Sequence, residues 1–285
     1  MNFTFLLAIW NRYFGESLRK IEAESLAYRQ SEAGRGPDWK TVAVLVTAAV
    51  CLTIQNYAGH PSRVKGVAGF AVRTVAGDDS AVVVQRTLDD WGNNQGDALT
   101  WWAACTLLTY TIIPILVIKL GLRERLRDYG TKVRGIHKSW PVYAAFVAIM
   151  VPIVAVVSAE DRFQETYPFY KINSRDQVGK ELLRWELLYA LQFVALEFFF
   201  RGFIVHGTKH RFGIYSTFVM MVPYCMIHYL KPLPEASASI VAGIALGFVS
   251  LTTRSVWLGA ALHISVAWSM DTATLARRGL LNFTW

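Results

Sequence analysis

Apolar residues in this chain come in long unbroken runs, with polar residues gathered between them. Runs at residues 41–58, 99–120, 141–159, 187–205, 215–230, 237–252 and 256–275 predict seven hydrophobic helices. A helix that spans a bilayer needs roughly 20 mostly apolar residues, because the hydrocarbon core is about 30 Å thick. The first, fifth and sixth runs are short on that measure, and an eighth span or a re-entrant piece is left open. The fold class is all-α: a polytopic transmembrane helix bundle of about seven to eight spans. The longest polar stretch, 60–97, reads as a loop. It has a short strand at 81–84, between turn residues at Gly77-Asp78-Asp79 and a Gly/Asn-rich segment at 92–96.

The segment 1–10 is apolar but short, with no basic region before it and no small-residue cleavage site after it, so it is a poor signal peptide. Phe5, Ile9, Trp10 and Phe14 share one face of a helix that would lie in the membrane interface. Gly34, Gly36 and Pro37 form a turn before the first span. Three segments follow: 1–40, cytoplasmic or interfacial; 41–139, two spans with an outer loop and a basic cytoplasmic loop; and 140–285, the helical core. In the sixth run, Ser239, Gly243 and Gly247 at four-residue spacing predict close helix packing in lipid.

Composition agrees with the pattern. Hydrophobic residues make up 53% of the chain and charged residues 18%, against about a quarter charged in a soluble domain. The net charge of +8 would suggest nucleic acid in a soluble protein. Here the basic residues sit in short connections between apolar runs and read as topology signals, so no nucleic-acid partner is expected. Lys119, Arg123, Arg125, Arg127, Lys132, Arg134 and Lys138 form the densest group and place that loop, and hence the N-terminus, in the cytoplasm. Cys51, Cys105 and Cys225 all lie inside apolar runs. Three cysteines at unrelated spacing are neither a disulfide framework nor a zinc cluster.

Ionisable residues at membrane depth are costly and mark function by default. Glu197 and Arg201 fall in the fourth run, His228 in the fifth and His263 in the seventh. Glu197 and Arg201 are four apart and share a helix face. Read alone, they are an intrahelical ion pair that neutralises two charges in lipid. With two histidines on other spans they form a set suited to water activation. A carboxylate takes a proton from water as general base, and an imidazole donates to the oxyanion formed on a peptide carbonyl. Arg201 would orient Glu197 and keep it ionised. The same Glu and two His also suit a zinc ion with one open position, and the residues alone leave both chemistries open. Thr106, Thr109 and Thr111 can bond to their own helix backbone and need no function.

The order Glu-x-x-x-Arg, then Tyr224-x-x-x-His228, then His263 on a late span resembles the CPBP family, the CAAX-protease and bacteriocin-processing membrane proteins also called Abi. The resemblance covers roughly 187–275, with Leu126-Arg127-Asp128-Tyr129-Gly130 as a family-like segment before it. It implies a glutamate-type intramembrane endopeptidase with 140–285 as the catalytic core, no metal and no cofactor. Glu197, Arg201, His228 and His263 would be the catalytic residues. The implied partners are a membrane protein or peptide substrate and the lipid bilayer, in a bacterial inner (plasma) membrane. The chain departs from the family at three places. Leu196 stands where the family has its first Glu, Tyr224 replaces Phe, and Ala267 replaces an Asn that would help bind an oxyanion. Adjacent helix positions differ by about 100°, so Glu197 takes over from the missing carboxylate only with helix rotation or side-chain reach. The alternative is an inactive relative, acting as an immunity or partner-binding membrane protein.

Overall fold

The computed structural model describes residues 15–133, 136–229 and 231–281. The expected interfacial helix at 1–14 lies outside the described residues. In chain order the helices named below are α1 (Glu16–Gln30), α2 (Trp39–Ala58), α3 (Pro61–Asn93), α4 (Gln95–Leu107), α5 (Trp140–Val157), α6 (Lys180–Glu197), α7 (Gly207–Phe212), α8 (Ser216–Met226), α9 (Leu233–Thr253) and α10 (Trp257–Arg277). Among the described residues there is no strand, only an isolated antiparallel bridge between Thr131 and Ser255. The fold is all-α and polytopic, as the apolar runs predict.

Among the described residues, five helical runs are long and apolar enough to cross a membrane: Trp39–Ala58, Gln95–Gly121, Trp140–Val157, Lys180–Met226 and Leu233–Thr253. The fourth and fifth apolar runs share one helical stretch of 47 residues, interrupted by a tight 3-10 turn at Gly213–Tyr215. The seventh forms α10, which is not among these five. The expected loop at 60–97 is largely helical. Gly77, with φ of 83°, breaks α3 into two pieces. This left-handed conformation costs glycine nothing, and Asp78 and Asp79 then open the second piece, where acidic side chains favour a helix start. The expected strand at 81–84 therefore lies inside a helix; the valines' β preference is weak beside that helix start.

The chain divides into two compact units. The first comprises Met1–Val50, Tyr110–Trp140 and Leu196–Ala260. In it, Asp38 caps α2, accepting from the Thr41 backbone N at 3.0 Å and its Oγ1 at 2.9 Å. His210 Nε2 lies 2.9 Å from the same carboxylate. Burial pushes the Asp38 carboxyl up, but the Thr41 and His210 contacts outweigh it and hold it below the ordinary carboxylate range. α1 docks nearby, with Ser25 Oγ donating to the Arg211 carbonyl at 3.2 Å. α9 packs on α8 through its small residues, as predicted. Gly243 meets Tyr224 and Met221, and a methyl group on Gly247 would stand 3.0 Å from Thr217 Oγ1 and closer to its Cγ2.

The second unit comprises Cys51–Thr109, Pro141–Ala195 and Ala261–Trp285. Some of its buried polar groups pair with one another. Gln55 Nε2 donates to Thr106 Oγ1 at 2.9 Å, and its Oε1 accepts from Thr109 Oγ1 at 3.1 Å. Thr106 and Thr109 also donate to the carbonyls of Trp102 and Cys105, as predicted for span threonines. The end of α10 is tied to α5 by Arg277, which donates to Ser158 Oγ at 2.8 Å and the Ala155 carbonyl at 2.7 Å. All three cysteines are free, and Cys51 and Cys105 are buried.

Candidate active site

The first unit holds Glu197, Arg201 and His228. α6 ends at Glu197 and continues as a π-helix over Phe198–His206, every residue of which is buried. π turns bond i to i+5 and occur often at functional sites. The wider turn changes the phase of Arg201 relative to the residues before Glu197, so straight α geometry does not carry through this motif. Phe199 and Phe203 fill the surroundings: Phe199 stacks on Tyr110 at 4.4 Å between ring centroids, and Phe203 lies against Tyr129 at 6.3 Å.

Glu197 and Arg201 pair as their spacing predicts. Arg201 Nη1 lies 3.0 Å from Glu197 Oε1, with the two side chains 0% and 1% exposed. The guanidinium carbon stands 4.0 Å from the centroid of the Tyr224 ring. A desolvated cation over an aromatic face is worth about 2 kcal/mol. Tyr224 in turn packs on Gly243 of α9. The sequence reading gave Tyr224 only the role of a Phe substitute; its contact with Arg201 makes it part of the site.

On its other side Glu197 meets the first turn of α10. A methyl group on Gly259 would stand 2.8 Å from the Glu197 carboxyl carbon and closer still to Oε2. The carboxylate therefore lies on a surface that only a glycine provides.

His228 follows α8 in a turn. Its Nδ1 is 2.7 Å from the Tyr224 carbonyl, and its ring lies 4.8 Å from that residue's ring. A carbonyl oxygen only accepts, so Nδ1 carries a proton and donates to it. A buried histidine that the sequence reading passed over, His206, shows the opposite polarity. Lys209 Nζ, 3.0 Å away, has no lone pair to offer and donates to Nδ1, so Nε2–H donates to Ser250 Oγ at 3.1 Å. Activating a serine needs the reverse direction, so this cluster links α9 to the π-helix and supplies no nucleophile.

His263 belongs to the second unit, on α10, where its ring lies parallel to Phe193 at 5.2 Å with 2° between planes. Phe193 ends a stack on α6: Trp185 to Tyr189 at 4.8 Å, then Tyr189 to Phe193 at 4.5 Å. Trp185, Tyr189 and Phe193 precede Glu197 at four-residue spacing. That regular spacing was the legible signal for this aromatic stack. Ala267 is buried against Trp185 and Tyr189. Further along α10, Asp271 is fully buried and accepts from the Trp185 indole N–H at 3.3 Å. Among the described residues, no three His, Cys, Asp or Glu side chains are grouped to hold a metal ion.

No curated protein and no solved structure matches the chain. Residues 179–269 match the family model described as Rce1-like, "Type II CAAX prenyl endopeptidase Rce1-like". The matched segment contains Glu197, Arg201, Tyr224, His228, Gly259 and His263. Over that segment this membrane protein is similar to the CAAX-protease-like intramembrane proteases.

Proposed function

We propose that the protein is a metal-free, glutamate-type endopeptidase that hydrolyses a peptide bond of a membrane-associated protein or peptide. The observation that supports this most is the Glu197 carboxylate, fixed between Arg201 and the first turn of α10 within the family-matched segment. In this reading Glu197 takes a proton from water as the oxygen attacks the scissile carbonyl. It then delivers that proton to the leaving amine, so the C–N bond breaks as the N–H bond forms. Arg201 orients the carboxylate. The candidates for donation to the oxyanion are the two histidines of the matched segment, His228 and His263.

One observation favours a second reading: Glu197 is 1% exposed and already paired. In an inactive relative the pair would be structural, and the protein would act by binding a partner in the membrane. The two readings separate in one assay. Purified full-length protein in nanodiscs is incubated with a farnesylated peptide ending in a CAAX sequence, with and without a zinc chelator, and products are read by mass spectrometry. The expected result is cleavage at the same rate in both arms, with no stoichiometric metal by elemental analysis. Cleavage lost with the chelator and restored by zinc would replace the glutamate mechanism with a metal one. An intact peptide would favour the second reading.

We further propose a bacterial plasma-membrane location with the N-terminus cytoplasmic, which the basic loop supports. Asn94 and Arg127 are both exposed. In a background lacking Cys51, Cys105 and Cys225, Asn94→Cys is expected to react with an impermeant thiol reagent added to intact cells, and Arg127→Cys only after lysis. The reverse labelling inverts the topology.

A further inference from the structure

Resting on the endopeptidase reading, we propose that Gly259 is a positioning residue for Glu197. The first turn of α10 is the seat of the carboxylate, and hydrogen is the only side chain at position 259 that leaves it there.

Three observations meet at this contact. Gly259 is the third residue of α10, so the carboxylate lies beside a helix N-terminus. There the helix dipole favours negative charge. The seat has no spare room: a methyl group would come within 2.8 Å of the carboxyl carbon, well inside van der Waals contact. Nor can Glu197 retreat. Arg201 holds it from the other side at 3.0 Å, and the π-helix that follows is buried throughout. Lateral displacement of the carboxylate, away from both Arg201 and the seat, is the one response left to a larger residue. A misplacement of about 1 Å can cost about a hundredfold in rate.

A packing role for Gly259 would be different in kind. If the glycine only lets α10 approach its neighbours, its replacement costs the same whatever stands at position 197. The test therefore pairs the two positions in full-length protein, measuring Tm in nanodiscs and, on the farnesylated CAAX peptide, kcat and KM. Gly259→Ala is expected to lower Tm and to lower kcat about a hundredfold with KM unchanged. Adding Glu197→Asp, which withdraws the carboxylate by one methylene, is expected to recover a large part of that kcat. Adding Glu197→Ala is expected to remove the Tm penalty. An equal Tm penalty in the wild-type and Glu197→Ala backgrounds overturns the proposal, as does a Gly259→Ala/Glu197→Asp protein slower than Gly259→Ala. Should Gly259→Ala fail to fold, recovery of folding in the Glu197→Ala background supports the seat and continued failure overturns it. Because the Tm comparison needs no catalysis, a wild-type protein that cleaves nothing removes the endopeptidase reading and still leaves the Gly259 proposal decided.

Discussion

Glu197→Gln is expected to lower cleavage per folded molecule by about 10²–10⁴-fold, the range over which a positioned general base contributes. Gln keeps the length and branching of the side chain, so it fits between Arg201 and Gly259 as the carboxylate does. It lacks only the basic oxygen and the negative charge. The change therefore separates chemistry from packing better than a truncation, which would leave a void in a fully buried region. Normalising to folded protein matters because the substitution also leaves the Arg201 charge uncompensated. A Glu197→Gln protein that cleaves at the wild-type rate would remove Glu197 from the chemistry and leave the pair as a structural device.

Arg201→Met carries the largest expected effect on stability. Arg201 is 0% exposed. Removing one partner of a buried ion pair strands the other charge, at a cost of about 3–5 kcal/mol. The loss of the Tyr224 contact adds to this. In a Glu197→Gln background the stranded charge is gone, so the same Arg201→Met change is expected to cost much less. Exchanging a whole buried pair for apolar groups of similar volume is often close to neutral. Reversible unfolding of the four proteins in mixed micelles measures the coupling. If Arg201→Met costs the same in both backgrounds, the arginine is stabilised by Tyr224 and its surroundings, and the ion pair contributes nothing.

Much of the architecture was determined by the sequence alone, and the residues show why. Continuous apolar runs at bilayer length can be satisfied only by helices, so the spans were legible without any partner. Glu197 and Arg201 meet because they are four apart on one helix, a relation set by local geometry. The small residues at 239, 243 and 247 predicted a close helix contact for the same local reason, although not that its partners would be Tyr224, Met221 and Thr217. Other features needed the tertiary structure. A π-helix after Glu197, the Tyr224 ring beneath Arg201, Gly259 against the carboxylate and the helical form of 60–97 follow from no spacing rule. The physical reason is the solvent. In lipid an apolar helix gains nothing by turning one apolar face inward over another, so hydropathy sets where a span begins and ends but not how it rotates. Rotation is decided by packing and by the few polar groups that must find partners. At Glu197 it is the buried charge, one arginine and a bare glycine that decide it.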